Sequence, residues 1–211
     1  VKLVGLTGGI GSGKSTVSRL LIERGAVIVD ADAIVKDLQA AGQPVFNAIV
    51  ERFGPTVVGA DGELDRPALA AIVFGDPEML KELNAIVHPA VRAEIIRQSE
   101  VEVDTDKVVV LDVPLMVEGI RYGSSGMIVV DLPVDVAVER LVSQRGFTEA
   151  DARARMARQA TREERLAQAD RVVDNSGTSA ELEAQMPGLW AWIQTLPDHV
   201  IGQKPTATAG F

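Results

Sequence analysis

The chain has 211 residues, 46% of them apolar, a formal net charge of −9 and no cysteine. That length buries a substantial core, as one compact domain with an insertion or as two domains. The acidic balance argues against a general nucleic-acid binder, which needs a cationic surface, and the lack of thiols excludes a disulfide framework, a thiolate metal site and a cysteine nucleophile.

No N-terminal stretch reads as a signal peptide and no apolar run reaches the length of a bilayer span, so a soluble cytoplasmic protein is the expectation. The arginines are uneven: eight of 15 lie between Arg140 and Arg171. A local anion site is therefore compatible with the overall negative sign.

In chain order, Leu3 to Thr7 reads as a short buried strand. It runs into Gly8-Gly9-Ile10-Gly11-Ser12-Gly13-Lys14-Ser15, and Val17, Leu20 and Leu21 then mark a helix. This is the phosphate-loop pattern G-x-x-x-x-G-K-[ST] in its strand-loop-helix frame. Glycines let the backbone turn several N–H groups toward one point, where the helix dipole adds a positive end. On this reading Lys14 reaches the terminal phosphates, and Ser15 offers its hydroxyl to a magnesium ion arriving with the nucleotide.

Ala26 to Val29 is expected to form a second buried strand, ending at Asp30-Ala31-Asp32. Ligands bind along the C-terminal edge of open parallel sheets, so a carboxylate there can accept a proton from an attacking hydroxyl. Asp32 is preferred over Asp30 because it lies farther along the turn. The alternative is that Asp32 caps a helix beginning at Ala33.

Residues 33 to about 100 read as helices over Ile34–Ala41, Pro44–Phe53, Pro67–Phe74 and Pro77–Ser99, separated by glycine-containing turns. This predicts a helical insertion forming the wall over an acceptor site. Arg66 is a candidate anion contact or a solvated side chain. His88-Pro89 is expected to interrupt the last helical run.

The core resumes at Val108–Leu111, a continuous apolar strand followed by Asp112, the expected helper of magnesium. Pro114 to Glu118 forms a turn that can line the acceptor site, and Met127–Asp131 is the next strand. Pro133 opens a helix with Val134, Val138 and Leu141 on one face and Arg140 on another. Arg145 to Gln159 is arginine-rich and short of apolar bulk. It reads as a lid, or as a solvated helix with pairs Glu149–Arg153 and Asp151–Arg155. Val172-Val173 is a last strand, followed by a turn in which Asn175 contacts a base or simply makes turn chemistry. A helix from about Ser179 packs through Leu182, Met186, Leu189 and Ile193, and Trp190 and Trp192 read as packing residues. Residues 197–211 read as a flexible tail.

Together the ordered segments Gly5 to Ser15, Asp30-Ala31-Asp32, Leu64-Asp65-Arg66, Val73-Phe74, Leu83-Asn84, His88-Pro89, Asp112-Val113-Pro114-Leu115 with Glu118, Arg155 to Gln159, and Asp174 to Gly177 closely resemble the dephospho-coenzyme A kinase family. The resemblance spans nearly all of residues 2 to 195. It implies an α/β fold of the nucleoside-monophosphate-kinase type: a parallel sheet flanked by helices, with an inserted helical substrate-binding domain and a helical lid. The core would comprise residues 1–32, 107–140 and 167–196, the acceptor domain 33–106, the lid 141–166 and the tail 197–211.

The implied reaction is ATP-dependent phosphorylation of the ribose 3'-hydroxyl of dephospho-coenzyme A, giving coenzyme A and ADP. By position, the resemblance implies ATP binding by Gly9, Gly11, Ser12, Gly13, Lys14, Ser15, Thr16, Arg140 and Asn175, with Asp32, Lys14 and Arg140 catalytic. Acceptor contacts fall at Asp32, Arg66, His88, Pro114, Leu115 and Glu118, and magnesium falls to Ser15 and Asp112. Neither nucleic acid, membrane nor an obligate protein partner is expected. Two rivals are a different small-metabolite or nucleoside monophosphate kinase on the same core, and a GTP-hydrolysing switch. No Asn-Lys-x-Asp guanine-reading segment occurs to support the second.

Overall fold

A computed structural model describes residues 1–102, 105–113 and 124–199. Five strands, β1 (Lys2–Gly8), β2 (Val27–Asp30), β3 (Val108–Asp112), β4 (Gly126–Asp131) and β5 (Arg171–Asp174), form one sheet in the order β2-β3-β1-β4-β5, with every pairing parallel. Strands β3 and β4 are buried at every position, which explains their unbroken apolar character, since a parallel sheet is covered on both faces.

Two helices make one of those covers. From α1 (Lys14–Ile22) come Val17, Leu20 and Leu21, and from α9 (Ser179–Thr195) come Leu182, Met186, Leu189 and Ile193. All pack against Val4, Leu6, Val110, Ile128 and Val130 of the sheet. Trp190 and Trp192 pack against the same cluster. Gly126 makes this possible at the start of β4, because a β-carbon there would stand 2.8 Å from the Trp192 ring. Between the last two strands lie α6 (Val134–Arg145), α7 (Glu149–Met156) and α8 (Arg162–Ala167). Leu141 and Val138 of α6 bury Ala152 of α7, with Ile10, Phe147 and Met156 packed around them. Val134, expected on the packing face of α6, is instead 43% exposed, and Ala137 takes its place.

Parallel register brings the strand ends to one edge. Asp112 lies beside both Leu6 and Asp30, Gly8 beside Val130, and Asp131 beside Asp174. Four of the five strands therefore end in Asp at the edge where the phosphate loop leaves β1. In such sheets this edge binds ligands because the chain turns away there and leaves a crevice.

Residues Ala31–Gln98 form a compact unit of their own, between β2 and β3 in sequence. It contains α2 (Ala31–Leu38), α3 (Pro44–Phe53) and α4 (Arg66–Val73), and most of α5 (Pro77–Glu100). Asp65 caps α4 by accepting from the Ala68 amide at 2.9 Å. Contrary to expectation, α5 runs through Pro89 without a break. Proline removes one helical amide and crowds the preceding turn, but Val87, Val91 and Ile95 are buried on both sides of it and hold the helix together. No helix among the described residues is long and apolar enough to cross a membrane.

Candidate active site

The site begins where β1 ends. Gly11 and Gly13 have φ of 80° and 85°, in the left-handed region that an L side chain enters only with strain. Gly13 is also the N-cap of α1, with no side chain to cap it. The Ser12 amide donates to the Gly9 carbonyl at 3.0 Å and closes the loop on itself. Among the described residues, the amides of Gly11, Gly13, Lys14 and Ser15 have no protein acceptor. Together with the positive end of α1 they form an anion cradle.

Lys14 was expected to reach toward phosphate. In the structure its ammonium pairs with Oδ1 of Asp112, whose Oδ2 accepts from the Ser18 hydroxyl at 2.8 Å. Asp112 is only 4% exposed, so both its oxygens are satisfied within the protein, as burial of a carboxylate demands. Ser18 was missed by sequence reasoning. Its signal was available, one helical turn after Lys14 on the same helix.

No group of three or more His, Cys, Asp or Glu residues among the described ones could hold a metal alone. The Ser15 hydroxyl and the Asp112 carboxylate are oxygen donors of the kind magnesium takes. They fit an ion carried in by a polyphosphate, with waters and phosphate completing its shell, rather than a protein cage.

Two cavities flank the loop. One, of about 320 Å³, is lined by Gly11, Gly13, Thr16, Arg140, Asn175 and Gly177 among others. Here Asn175, 8% exposed, joins three elements. Its amide nitrogen Nδ2 donates to the Ser12 carbonyl at 2.7 Å, its backbone N–H donates to the Asp131 carbonyl at 3.0 Å, and its own carbonyl accepts from Nη2 of Arg140 at 2.8 Å. The side chain is thus engaged with the phosphate loop, and it comes so close to Gly13 that a β-carbon there would collide with it.

The second cavity, of about 330 Å³, lies on the Gly9 side of the loop and is bordered by Ile10, Ser12, Asp131, Met156, Arg162 and Arg165, among others. Arg162 reaches Asp131 with two parallel bonds, Nε to Oδ1 at 2.8 Å and Nη2 to Oδ2 at 2.7 Å. Bonding to the Asp131 carboxylate holds the Arg162 guanidinium pKa above its ordinary value. Gln159 accepts from the Ile10 amide at 3.0 Å. Sequence reasoning named neither Arg162 nor Arg165 individually, although both fall within the stretch 141–166 expected to form the lid. The signal that could have located their helix is the capping box Thr161-x-x-Glu164, in which each residue bonds the other's backbone.

Of the two ion pairs expected on the arginine-rich stretch, Arg153 meets Glu149 at 2.9 Å and also reaches Asp135 at 3.1 Å. Asp151 instead bonds Thr148, the N-cap of α7, and Arg155 lies over the Phe147 ring at 4.7 Å.

In the helical unit, Asp32 is exposed in the first turn of α2, which begins at Ala31 rather than Ala33, so Asp32 is not its N-cap. Arg66 donates to Oε1 of the buried Gln39 at 2.7 Å, and His88 is exposed on α5. Pro114, Leu115 and Glu118 lie outside the described residues.

Residues 2–181 match the family model described as dephospho-CoA kinase. A dephospho-CoA kinase from Streptomyces avermitilis is 53% identical over 189 residues, covering 89% of this chain and 92% of the relative. Among solved structures, a Thermus thermophilus protein superposes with a TM-score of 0.78 at 35% identity, covering 90% of this chain and 97% of its own. A dephospho-CoA kinase from Campylobacter jejuni shares the fold, with a TM-score of 0.67 at 24% identity over 91% of this chain and 96% of its own. A chain matched over this length, both by the family model and by relatives of such identity, belongs to the dephospho-CoA kinase family.

Proposed function

We infer that the chain transfers the terminal phosphoryl group of ATP to the ribose 3'-hydroxyl of dephospho-coenzyme A, yielding coenzyme A and ADP. The observation that carries this reading, beside family membership, is the amide cradle around Gly11 and Gly13, with Lys14 and Asp112 paired at its side. The 3' oxygen attacks the terminal phosphorus, the bond from that phosphorus to the oxygen bridging it to ADP breaks, and the hydroxyl proton passes to Asp32.

Phosphoryl transfer asks the protein for alignment and charge neutralisation more than for covalent chemistry. The cradle amides and Lys14 bind the polyphosphate, and Arg140 serves the nucleotide from the cavity that it lines with Asn175. Magnesium, held through Ser15 and Asp112, would neutralise charge on the transferring group. The helical unit takes the acceptor through Arg66 and His88, and Pro114, Leu115 and Glu118 are proposed to line the same acceptor. The segment from 141 to 166 acts as a lid that excludes water, the competing acceptor. The reaction is placed in the cytoplasm.

Mass spectrometry of a reaction containing ATP, magnesium and dephospho-coenzyme A tests this. The expected product is the acceptor plus one phosphate on its 3' oxygen. Transfer instead to a nucleoside monophosphate, or hydrolysis of nucleotide without transfer, would defeat the assignment.

A further inference from the structure

Strand β5 lies at the edge of the sheet, with β4 on one side only. Backbone groups on the open side of such a strand need another partner or are left to water. At Asp174, the last residue of β5, that partner is a single side chain. Oε1 of Gln185 accepts from the Asp174 amide at 3.0 Å, and Nε2 of Gln185 donates to the Asp174 carbonyl at 2.7 Å. One primary amide thus makes the two bonds that a neighbouring strand would make.

The Gln185 amide is itself held. Nε2 also donates to the Glu181 carbonyl one turn earlier in α9, at 3.2 Å. The flanking Leu182, Met186 and Leu189 are buried in the cluster that packs on the sheet, so the side chain extends from a backbone that core packing fixes.

The group that this clamp orients is the peptide unit between Asp174 and Asn175. Its carbonyl end is bonded by Gln185, and its N–H end, on Asn175, donates to the Asp131 carbonyl at 3.0 Å. A planar peptide bonded at both ends resists rotation about its flanking bonds, which sets the direction of the Asn175 side chain. Little tolerance exists at the tip of that side chain. Nδ2 donates to the Ser12 carbonyl at 2.7 Å, and it would stand 2.1 Å from a β-carbon on Gly13. Asn175 borders the cavity beside the phosphate loop with Gly11, Gly13 and Thr16, whereas Gln185 borders neither cavity.

We propose that Gln185 is a positioning residue for nucleotide binding: by holding the Asp174 backbone from outside the site, it aims Asn175 at the phosphate loop. This rests on the nucleotide site described above and adds to it a residue that touches no ligand.

Calorimetric titration with magnesium ADP, paired with thermal melting, tests the role without turnover. Gln185→Met keeps the length of the side chain and removes both bonds to Asp174. It is expected to weaken ADP about three- to tenfold, the scale of one or two neutral hydrogen bonds. Gln185→Glu keeps an acceptor for the Asp174 amide but loses the donor to its carbonyl. Measured in about 0.3 M salt to screen the added charge, it should weaken ADP as well. In an Asn175→Ala background, Gln185→Met should change ADP affinity by less than about twofold, because the residue through which it acts is gone.

A lower melting temperature with unchanged ADP affinity in both Gln185 variants overturns the proposal and leaves Gln185 as cover for the sheet edge. The same fold loss with Asn175 present or absent overturns the route through Asn175. Should Gln185→Met lack a cooperative melting transition, Gln185→Glu takes its place in both backgrounds and the same two results decide. If the unaltered protein does not bind magnesium ADP, the nucleotide site itself fails, and this inference fails with it.

Discussion

The side-chain amide of Asn175 donates to the backbone carbonyl of Ser12 at 2.7 Å, joining residues 163 apart in sequence and fixing the phosphate loop to the end of β5. Removing that amide in Asn175→Ala leaves the Ser12 carbonyl buried and unpaired. The expected cost is about 1–3 kcal/mol of stability, with weaker nucleotide binding because the loop loses its tether. Chemical denaturation with and without ADP measures both; a variant with unaltered stability and affinity would show the tether to be dispensable.

Lys14 and Asp112 are predicted to act as a pair. Lys14→Ala removes a cation from the developing negative charge and leaves Asp112 buried with only Ser18 for company. Turnover should fall by about 10²–10³, the usual scale for one lost electrostatic donor. Steady-state kinetics with saturating ATP checks this, and an unchanged rate contradicts the role. Asp112→Asn should lower turnover as well and should raise the magnesium concentration needed for half-maximal rate.

Asp32→Asn preserves size and polarity but cannot accept a proton. Nucleotide binding should survive while turnover drops by about two to four orders of magnitude. Near-normal turnover in this variant would transfer the base assignment to another group, with Asp30 the next to substitute.

Far from the loop, Thr178 and Glu181 form a reciprocal capping box at the start of α9. Thr178→Ala should cost about 1 kcal/mol of stability and leave catalysis intact, which thermal melting and a rate assay together would show. Glu181 accepts from the Thr178 amide and hydroxyl, and these bonds hold its pKa below the ordinary 4.5. Because the folded pKa is the lower one, the stabilisation is present above pH 4.5 and fades as pH falls through the depressed value. Glu181→Gln should therefore flatten the melting temperature against pH in that acidic window and change little at neutrality.

Much of this architecture could be read along the chain. The runs around Leu3–Thr7, Val27–Val29, Val108–Leu111, Met127–Val130 and Val172-Val173 are strands in the structure, within a residue or two of where apolar continuity places them. The phosphate loop was equally legible, because glycine spacing, a preceding strand and a following helix are all local properties. Two local readings failed for physical reasons. The helix through Pro89 persists because burial of its neighbours outweighs one lost amide bond. The short α8 went unnoticed because none of its residues is buried, which leaves almost no apolar periodicity to detect.

The order of elements and the presence of a polyphosphate cradle were thus determined by the sequence itself, since periodicity and glycine placement act over a few residues. Tertiary structure alone decided which polar groups meet: Asn175 with Ser12, Lys14 with Asp112, Arg162 with Asp131. Those partners are remote in the chain. They meet because the strand order β2-β3-β1-β4-β5 and its parallel register bring the strand ends to a common edge, where a buried charge or amide must find a partner and only neighbouring strands and their loops can supply one.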